Sequence, residues 1–388
     1  MKKTFYLVLL IFIFQVSASH SLKAQWAIMY TDADSLVILG AKYVYNLQFI
    51  EASYCFNRVQ QLYPGHPVGY FMDAMVDWWK INLNQDDTQF DKVYLKKIDK
   101  VLDVCQKILD TNAKDLNALF FKGGALGYRG RFHAIRKNWL STASDGKDGL
   151  NILIECLKKA PSNPDIMLGT GIYSYFAAKL PEDFPLLKPL MVFLPAGDKK
   201  LGILELESSA KYARYTGTEA KVVLQQIYYQ FEYDYYKALL ISEDLYKQFP
   251  NNPYFKKYLA RCYSANGRAA EAEILWRDIL KSYMEKKFGH TMTVAREALY
   301  YIGRNLMMKN DLDNALKYFY KCDEACRELD KSEISGFMVK LNLYVGNIYD
   351  LQKKRDLANA QYNKVLQMRD FDGSHYQAKF WLSRAYGQ

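Results

Sequence analysis

The sequence predicts an all-α protein in which antiparallel helix pairs are stacked one on the next. From Pro253 to Lys281, apolar residues recur at helical spacing on both sides of a turn at Gly267, and the chain from Ala33 to Pro64 repeats this arrangement. Half of the residues are hydrophobic, and the ten prolines cluster at apparent helix ends. This composition favours a folded helical chain over a disordered one.

The pair near Pro253 shows why stacking is required. Its inward-facing residues are Leu259, Ala260 and Tyr263 on the first helix and Ala272, Trp276 and Ile279 on the second. Two helices with a small residue at each crossing cannot bury their apolar face alone, so they must stack on copies of themselves.

The order of large, small and aromatic residues resembles the tetratricopeptide repeat, a helix–turn–helix motif of about 34 residues. In the first unit the motif positions are held by Leu36, Leu39, Gly40, Tyr43, Ala52, Phe56, Val59 and Pro64. The resemblance runs from Ala33 to the C-terminus and is weakest between Pro67 and Tyr215. It implies a right-handed α-solenoid of about eight units that acts as a non-catalytic scaffold for protein–protein interaction.

The central units depart from the motif at two predicted insertions, near 131–148 and 181–198. In the first, His133–Lys147 intervenes before a second helix that begins near Leu150. The second contains the apolar, proline-bearing stretch FPLLKPLMVFLP, which is predicted to pack against the solenoid or to serve as a hydrophobic docking or membrane-touching element.

The N-terminus has the pattern of a signal peptide, residues 1–24. Lys2 and Lys3 precede an apolar run over Thr4–Phe14, and small residues allow cleavage after Ala24 or after Ala18. Residues 25–388 would then form one solenoid, exported to the periplasm or cell surface of a bacterium, and no later run is apolar enough to cross a membrane.

The charge distribution bears on possible partners, and the cysteine spacing bears on disulfide bonds. The formal charge is +10, but the basic residues are scattered as short pairs rather than in the stripe that follows nucleic acid. We therefore expect no nucleic-acid partner and a mild preference for acidic ones. The six cysteines show no disulfide framework and are predicted to be buried free thiols.

Catalytic patterns are not visible in the sequence. No histidine has a partner at zinc-ligand spacing, and neither a phosphate-binding glycine–lysine loop nor a nucleophile elbow occurs. The sequence thus predicts a protein that is not an enzyme and that needs no cofactor or metal.

The resemblance also suggests a partner-binding groove. In tetratricopeptide proteins the first helix of each pair faces the groove, which places Lys257, Arg261, Tyr300, Arg304 and Asn347 along it. Guanidinium groups bind carboxylates bidentately, so this row would suit an acidic or C-terminal carboxylate of a peptide. The alternative is that these residues are solvated positions of an exposed helical face.

Two other functions fit the same chain. One is a carrier whose central insertions enclose a small apolar or lipid-like ligand. The other is a structural subunit of an envelope assembly, which would use outer surfaces or ends of the stack.

Overall fold

The computed structural model describes residues 30–183, 188 and 195–388. The predicted signal peptide and most of the predicted insertion near 181–198 lie outside the described residues. The described part is all-α, as predicted, and has no strand. The chain divides into two compact units, which meet in sequence between Phe231 and Glu232.

Unit 1 contains nine described α-helices followed by one π-helical turn, Ile227–Phe231. The helices are α1 (Thr31–Tyr45), α2 (Phe49–Leu62), α3 (Val68–Leu83), α4 (Asp91–Thr111), α5 (Leu116–Ile135), α6 (Trp139–Lys159), α7 (Pro164–Asp183), α8 (Lys199–Tyr212) and α9 (Gly217–Gln226).

Unit 2 contains eight α-helices, all of them described. They are α10 (Tyr235–Gln248), α11 (Pro253–Ala265), α12 (Ala269–Met284), α13 (Met292–Met308), α14 (Leu312–Leu329), α15 (Gly336–Leu351), α16 (Arg355–Leu366) and α17 (Ser374–Ser383).

Local sequence signals set many of the helix boundaries. Asp115 and Ser335 begin α5 and α15 by accepting a hydrogen bond from a backbone N–H of the first turn, and Asn252 does so for α11, where Pro253 takes the first helical position. At the other end of a helix, Gly267 takes a φ of 74° in the turn that separates α11 from α12.

The helix pairs pack at the positions that the repeat motif predicts. A methyl group at Gly40 would lie 2.4 Å from the ring of Phe56, and one at Gly346 would lie 2.6 Å from the ring of Tyr362, so a glycine lets the facing aromatic ring approach the backbone. Fully buried alanines stand at the neighbouring crossings: Ala52, Ala272, Ala315 and Ala358. The helix pairs are therefore tetratricopeptide-like in their packing.

The segment 131–148 is not an insertion between helices, which corrects the prediction. Helix α6 begins at Trp139 rather than near Leu150, and only residues 136–138 separate it from α5. Just after this segment the backbones of α5 and α6 nearly touch: a methyl group at Gly149 would lie 3.0 Å from the carbonyl oxygen of Gly123. Close approach of this kind favours glycine despite its low helix propensity.

Unit 1 brings its first and last helices together. The carboxylate of Glu219 on α9 accepts hydrogen bonds from Tyr45 on α1 at 3.3 Å and from the indole N–H of Trp79 on α3 at 2.9 Å. Just before α9, the Nε of Arg214 donates to Asp34 on α1 at 2.8 Å. These contacts join residues more than 130 positions apart in sequence and curl the unit around an interior space.

Two further expectations concern the thiols and the membrane. All six cysteines are buried and free, as predicted. Among the described helices, none combines the length and the hydropathy that a membrane span requires.

Candidate functional site

The five residues predicted to line a groove all lie in unit 2, on the first helices of three successive pairs. Lys257 and Arg261 are on α11, Tyr300 and Arg304 on α13, and Asn347 on α15. The structure places them in four different environments.

Arg261 is already engaged by a carboxylate of its own chain. Its Nε donates to Oε2 of Glu297 at 2.7 Å, and its Nη2 donates to the other carboxylate oxygen. Glu297 is buried, with a side-chain exposure of only 5%. Burial by itself would raise the pKa of Glu297, but the Arg261 charge and hydrogen bonds, with Lys257 nearby, lower it below the ordinary value. Arg261 is therefore used in an ion pair between α11 and α13 rather than being free for a partner.

Lys257 is half-buried on the same face, one turn before Arg261. Its ammonium lies over two aromatic rings, 5.1 Å from the centroid of Tyr254 and 5.6 Å from that of Tyr258. Burial, helped by the Arg261 charge, lowers the pKa of Lys257 to about 8, while Glu297 acts in the opposite direction. The described residues offer it no carboxylate within ion-pair distance.

Arg304 retains donors that the fold does not use. Its guanidinium lies over the ring of Tyr301, 5.3 Å from the centroid, and its Nη2 reaches the carbonyl oxygen of Ser264 only at 3.5 Å. Its Nε is buried and has no hydrogen-bond partner in the described structure. A buried, unsatisfied N–H is costly unless a ligand or water fulfils it, so Arg304 is the clearest anion-binding side chain of this face.

The other two predicted residues do not face a groove, which corrects the prediction. Tyr300 is 8% exposed and packs edge-on against Phe337, with ring centroids 5.2 Å apart. Asn347 is 4% exposed and accepts a hydrogen bond from the Tyr362 hydroxyl at 3.0 Å. Helix α15 packs against α13, α14, α16 and α17, so the face that carries Asn347 is covered.

A second candidate site is an apolar cavity inside unit 1, with a volume of about 860 Å³. Its wall is formed by α1, α3, α5, α6, α7 and the start of α9, and nearly all of it is hydrocarbon. Aromatic and methionine side chains dominate one side: Phe71, Met72, Met75, Trp79, Phe121 and Phe176. Its size lies within the usual range of small-molecule sites, roughly 300–1,000 Å³.

The carboxylates in the cavity wall are occupied by protein donors. Asp165 accepts from the backbone N–H of Tyr215 at 2.8 Å and of Thr216 at 2.9 Å, and Asp183 pairs with Lys179. Glu219 has the hydroxyl and indole donors described above. Burial, together with the Glu219 charge, raises the pKa of Tyr45 and Tyr128, which keeps both hydroxyl groups protonated.

The two cationic side chains in the wall, Arg131 and Lys147, form no ion pair with a described carboxylate. Arg131 stacks over Trp78 and Tyr128, with distances of 4.9 and 5.2 Å from its central carbon to the ring centroids. Its Nη1 is buried and lacks a hydrogen-bond partner among the described residues, and no described carboxylate forms an ion pair with it. Lys147 is exposed where it borders the cavity.

Two glycines leave space in the cavity that the described residues do not fill. A methyl group at Gly127 on α5 or at Gly146 on α6 would meet no described atom of a neighbouring element within 4 Å, although both glycines lie inside helices. Their positions contrast with Gly123 and Gly149, which the contact between α5 and α6 requires.

Sequence reasoning missed Arg131, Tyr128 and Glu219 as site residues. The glycines between Gly123 and Gly130 were visible as a cluster, and the weak repeat motif marked the region as unusual. The contact of α9 with α1 and α3 could not be predicted from the sequence, because it joins side chains that are far apart along the chain. In the described ranges, no group of three or more His, Cys, Asp or Glu side chains is placed to hold a metal ion.

Comparisons with known proteins give similarity in structure only. No family model and no curated protein sequence matches the chain. A human IFIT1 dimer solved with m7Gppp-AAAA is 12% identical, with 91% of this chain and 86% of that chain covered and a TM-score of 0.39. Aspartyl phosphate phosphatase F from Bacillus subtilis is 12% identical, with coverages of 89% and 96% and a TM-score of 0.38. A tetratricopeptide repeat protein from Parabacteroides merdae is 13% identical, with coverages of 91% and 98% and a TM-score of 0.27.

Proposed function

We propose that the protein is a non-catalytic binding scaffold of the bacterial cell envelope, exported by its N-terminal leader, which holds an acidic segment of a partner protein. The signal-peptide pattern of residues 1–24 supports export, and the tetratricopeptide-like helix pairs support a scaffold. Stacked helix pairs present rigid surfaces along which a peptide can lie.

The observation that carries this proposal is the Nε–H of Arg304, which is buried without a hydrogen-bond partner among the described residues. It lies on the same side of unit 2 as Lys257, because Arg304 reaches Ser264, which follows Lys257 by seven residues on α11. At 1.5 Å per residue, Lys257 and the Ser264 that Arg304 contacts stand about 10 Å apart along the axis of α11. Two such cations without carboxylate partners suit two acidic groups of one peptide segment.

The test is affinity capture from envelope extract with residues 25–388 as bait. Arg304→Gln removes the candidate cation, and Arg384→Gln is the matched control because Arg384 is exposed and has no ion pair among the described residues. A partner captured by the parent and the control, lost with Arg304→Gln and eluted by salt, is the expected result. Equal capture by all three proteins would show that the partner binds elsewhere than at Arg304.

The apolar cavity of unit 1 favours a second candidate function, that of a carrier for a small apolar ligand. A hydrocarbon-lined space of about 860 Å³ costs stability unless something fills it. Native mass spectrometry of the purified protein tests this function, because a carrier retains ligand through gentle purification. A protein that has the mass of the bare chain and binds no apolar probe would exclude it.

A further inference from the structure

We propose that the cavity of unit 1 binds one long-chain fatty acid, with the carboxylate at Arg131 and the acyl chain along the apolar wall. This inference rests on the carrier function and names its ligand class.

The scarcity of free hydrogen-bonding groups in the cavity wall favours a hydrocarbon ligand over a polypeptide segment. A peptide segment brings backbone N–H and C=O groups, and each needs a hydrogen-bond partner when water is excluded. The carboxylates of the wall already accept hydrogen bonds or pair with protein donors, so little polar capacity remains for a backbone. An acyl chain makes no such demand, and its burial is favourable along its whole length.

The charges argue for an anionic head group on that chain. Among the described wall residues, the carboxylates are engaged by the protein, whereas the Nη1 of Arg131 is buried without a hydrogen-bond partner. Stacking on Trp78 and Tyr128 fixes the plane of the guanidinium and leaves its edge to bind. A planar carboxylate matches that edge. A single guanidinium is a smaller charge than a phosphate monoester would call for, so a carboxylate is the better fit.

The glycines argue that the space is kept open for an occupant. Glycine inside a helix lowers stability relative to alanine. At Gly127 and Gly146 no neighbouring atom of the described residues lies within 4 Å of where a methyl group would stand, so the described packing gives no reason for glycine. Space for a ligand gives one.

The experiment uses residues 25–388 after removal of bound lipid. N-phenyl-1-naphthylamine, a neutral fluorescent probe, reports occupation of an apolar site, and palmitate and hexadecanol compete for it. Palmitate is expected to displace the probe at a concentration at least tenfold lower than hexadecanol, because a hydrogen bond to a charged group adds to the same burial of hydrocarbon. Arg131→Met should remove this preference without changing probe binding, and Arg131→Lys should restore part of it.

Two substitutions at one position control for the location of the ligand. Gly127→Phe places a ring in the open space and should weaken the probe and palmitate alike, by about tenfold or more. Gly127→Ala adds only one methyl group to the same space and should weaken both far less than Gly127→Phe does. Helicity by circular dichroism accompanies each variant.

The failures are distinguishable. Equal competition by palmitate and hexadecanol in the parent would overturn the assignment of the head group, while the carrier function would stand. Absence of probe binding by the parent would overturn the carrier function itself. Probe binding that Gly127→Phe does not weaken would place the ligand outside this cavity and overturn the inference.

Discussion

Arg261 and Glu297 form a bidentate ion pair across the interface of α11 and α13, with 2.7 Å between Nε and Oε2. The pair lies between two side chains that lack a carboxylate partner, Lys257 on one side and Arg304 on the other. A position that the repeat pattern predicts to be free for a partner is thus used to hold two helix pairs together.

Removing the arginine should destabilise unit 2. Arg261→Met leaves the buried Glu297 carboxylate without its partner, which costs roughly 3–5 kcal/mol when a buried pair is broken on one side. Urea unfolding of the parent and the variant measures the change. The double variant Arg261→Met/Glu297→Leu is the control, and it should recover most of the loss because no uncompensated charge remains. Equal loss in the single and double variants would show that the pair acts through packing alone.

Glu297 should also make unit 2 sensitive to acid. Its folded-state pKa is lower than the unfolded value of about 4.3, so the folded protein binds fewer protons in this range. The stabilisation is complete above the unfolded pKa and is lost as the pH falls through the folded one. Urea midpoints measured between pH 6 and 3 should therefore fall less steeply for Glu297→Gln, whose midpoint starts lower at pH 6.

Lys257 should be the fastest-reacting half-buried lysine of the protein. Because its pKa is about 8 against an ordinary value of about 10.4, a large share is unprotonated at pH 8. Acetylation followed by peptide mass spectrometry should give a rate for Lys257 that rises through pH 8 and then levels. Lys281, whose side chain is 72% exposed, is the comparison. Parallel profiles for the two lysines would contradict the lowered pKa.

Two glycine-to-alanine substitutions in unit 1 should change the free energy of unfolding in opposite directions. Gly127→Ala meets open space and should stabilise by up to about 1 kcal/mol through helix propensity. Gly202→Ala places a methyl group 2.5 Å from the backbone nitrogen of Tyr175, so α7 and α8 must separate, and we expect a loss of about 1–3 kcal/mol. Thermal unfolding of both variants beside the parent gives the comparison, and a loss for Gly127→Ala would mean that the cavity is closed in solution.

The helix pairs could be predicted from the sequence because their packing is local. Gly40 with Phe56 and Ala315 with Phe319 are close in sequence, and their spacing alone determines which faces meet. The start of α6 could not be predicted. Gly146 and Gly149 lower the helix propensity of this stretch, and the close contact of Gly149 with Gly123 on α5 is not visible in the sequence.

The candidate sites were less predictable than the fold. Helical spacing places Arg261 and Arg304 on equivalent positions, but it does not show that Glu297 of the next pair reaches only the first of them. Asn347 follows the same spacing but is buried, and it accepts a hydrogen bond from Tyr362 on α16. The cavity depends on contacts between α9 and the first helices, which no local pattern encodes.

The return of α9 to α1 has a consequence for how unit 1 assembles. An open stack of repeats folds through nearest neighbours, and its ends can fray independently. In unit 1 the contact between Asp34 and Arg214 spans 180 residues, so it closes a long loop whose entropic cost must be met before the contact contributes. Local helix pairs therefore form early and this closure forms late. During synthesis from the N-terminus, the cavity is completed only once residue 219 has emerged from the ribosome.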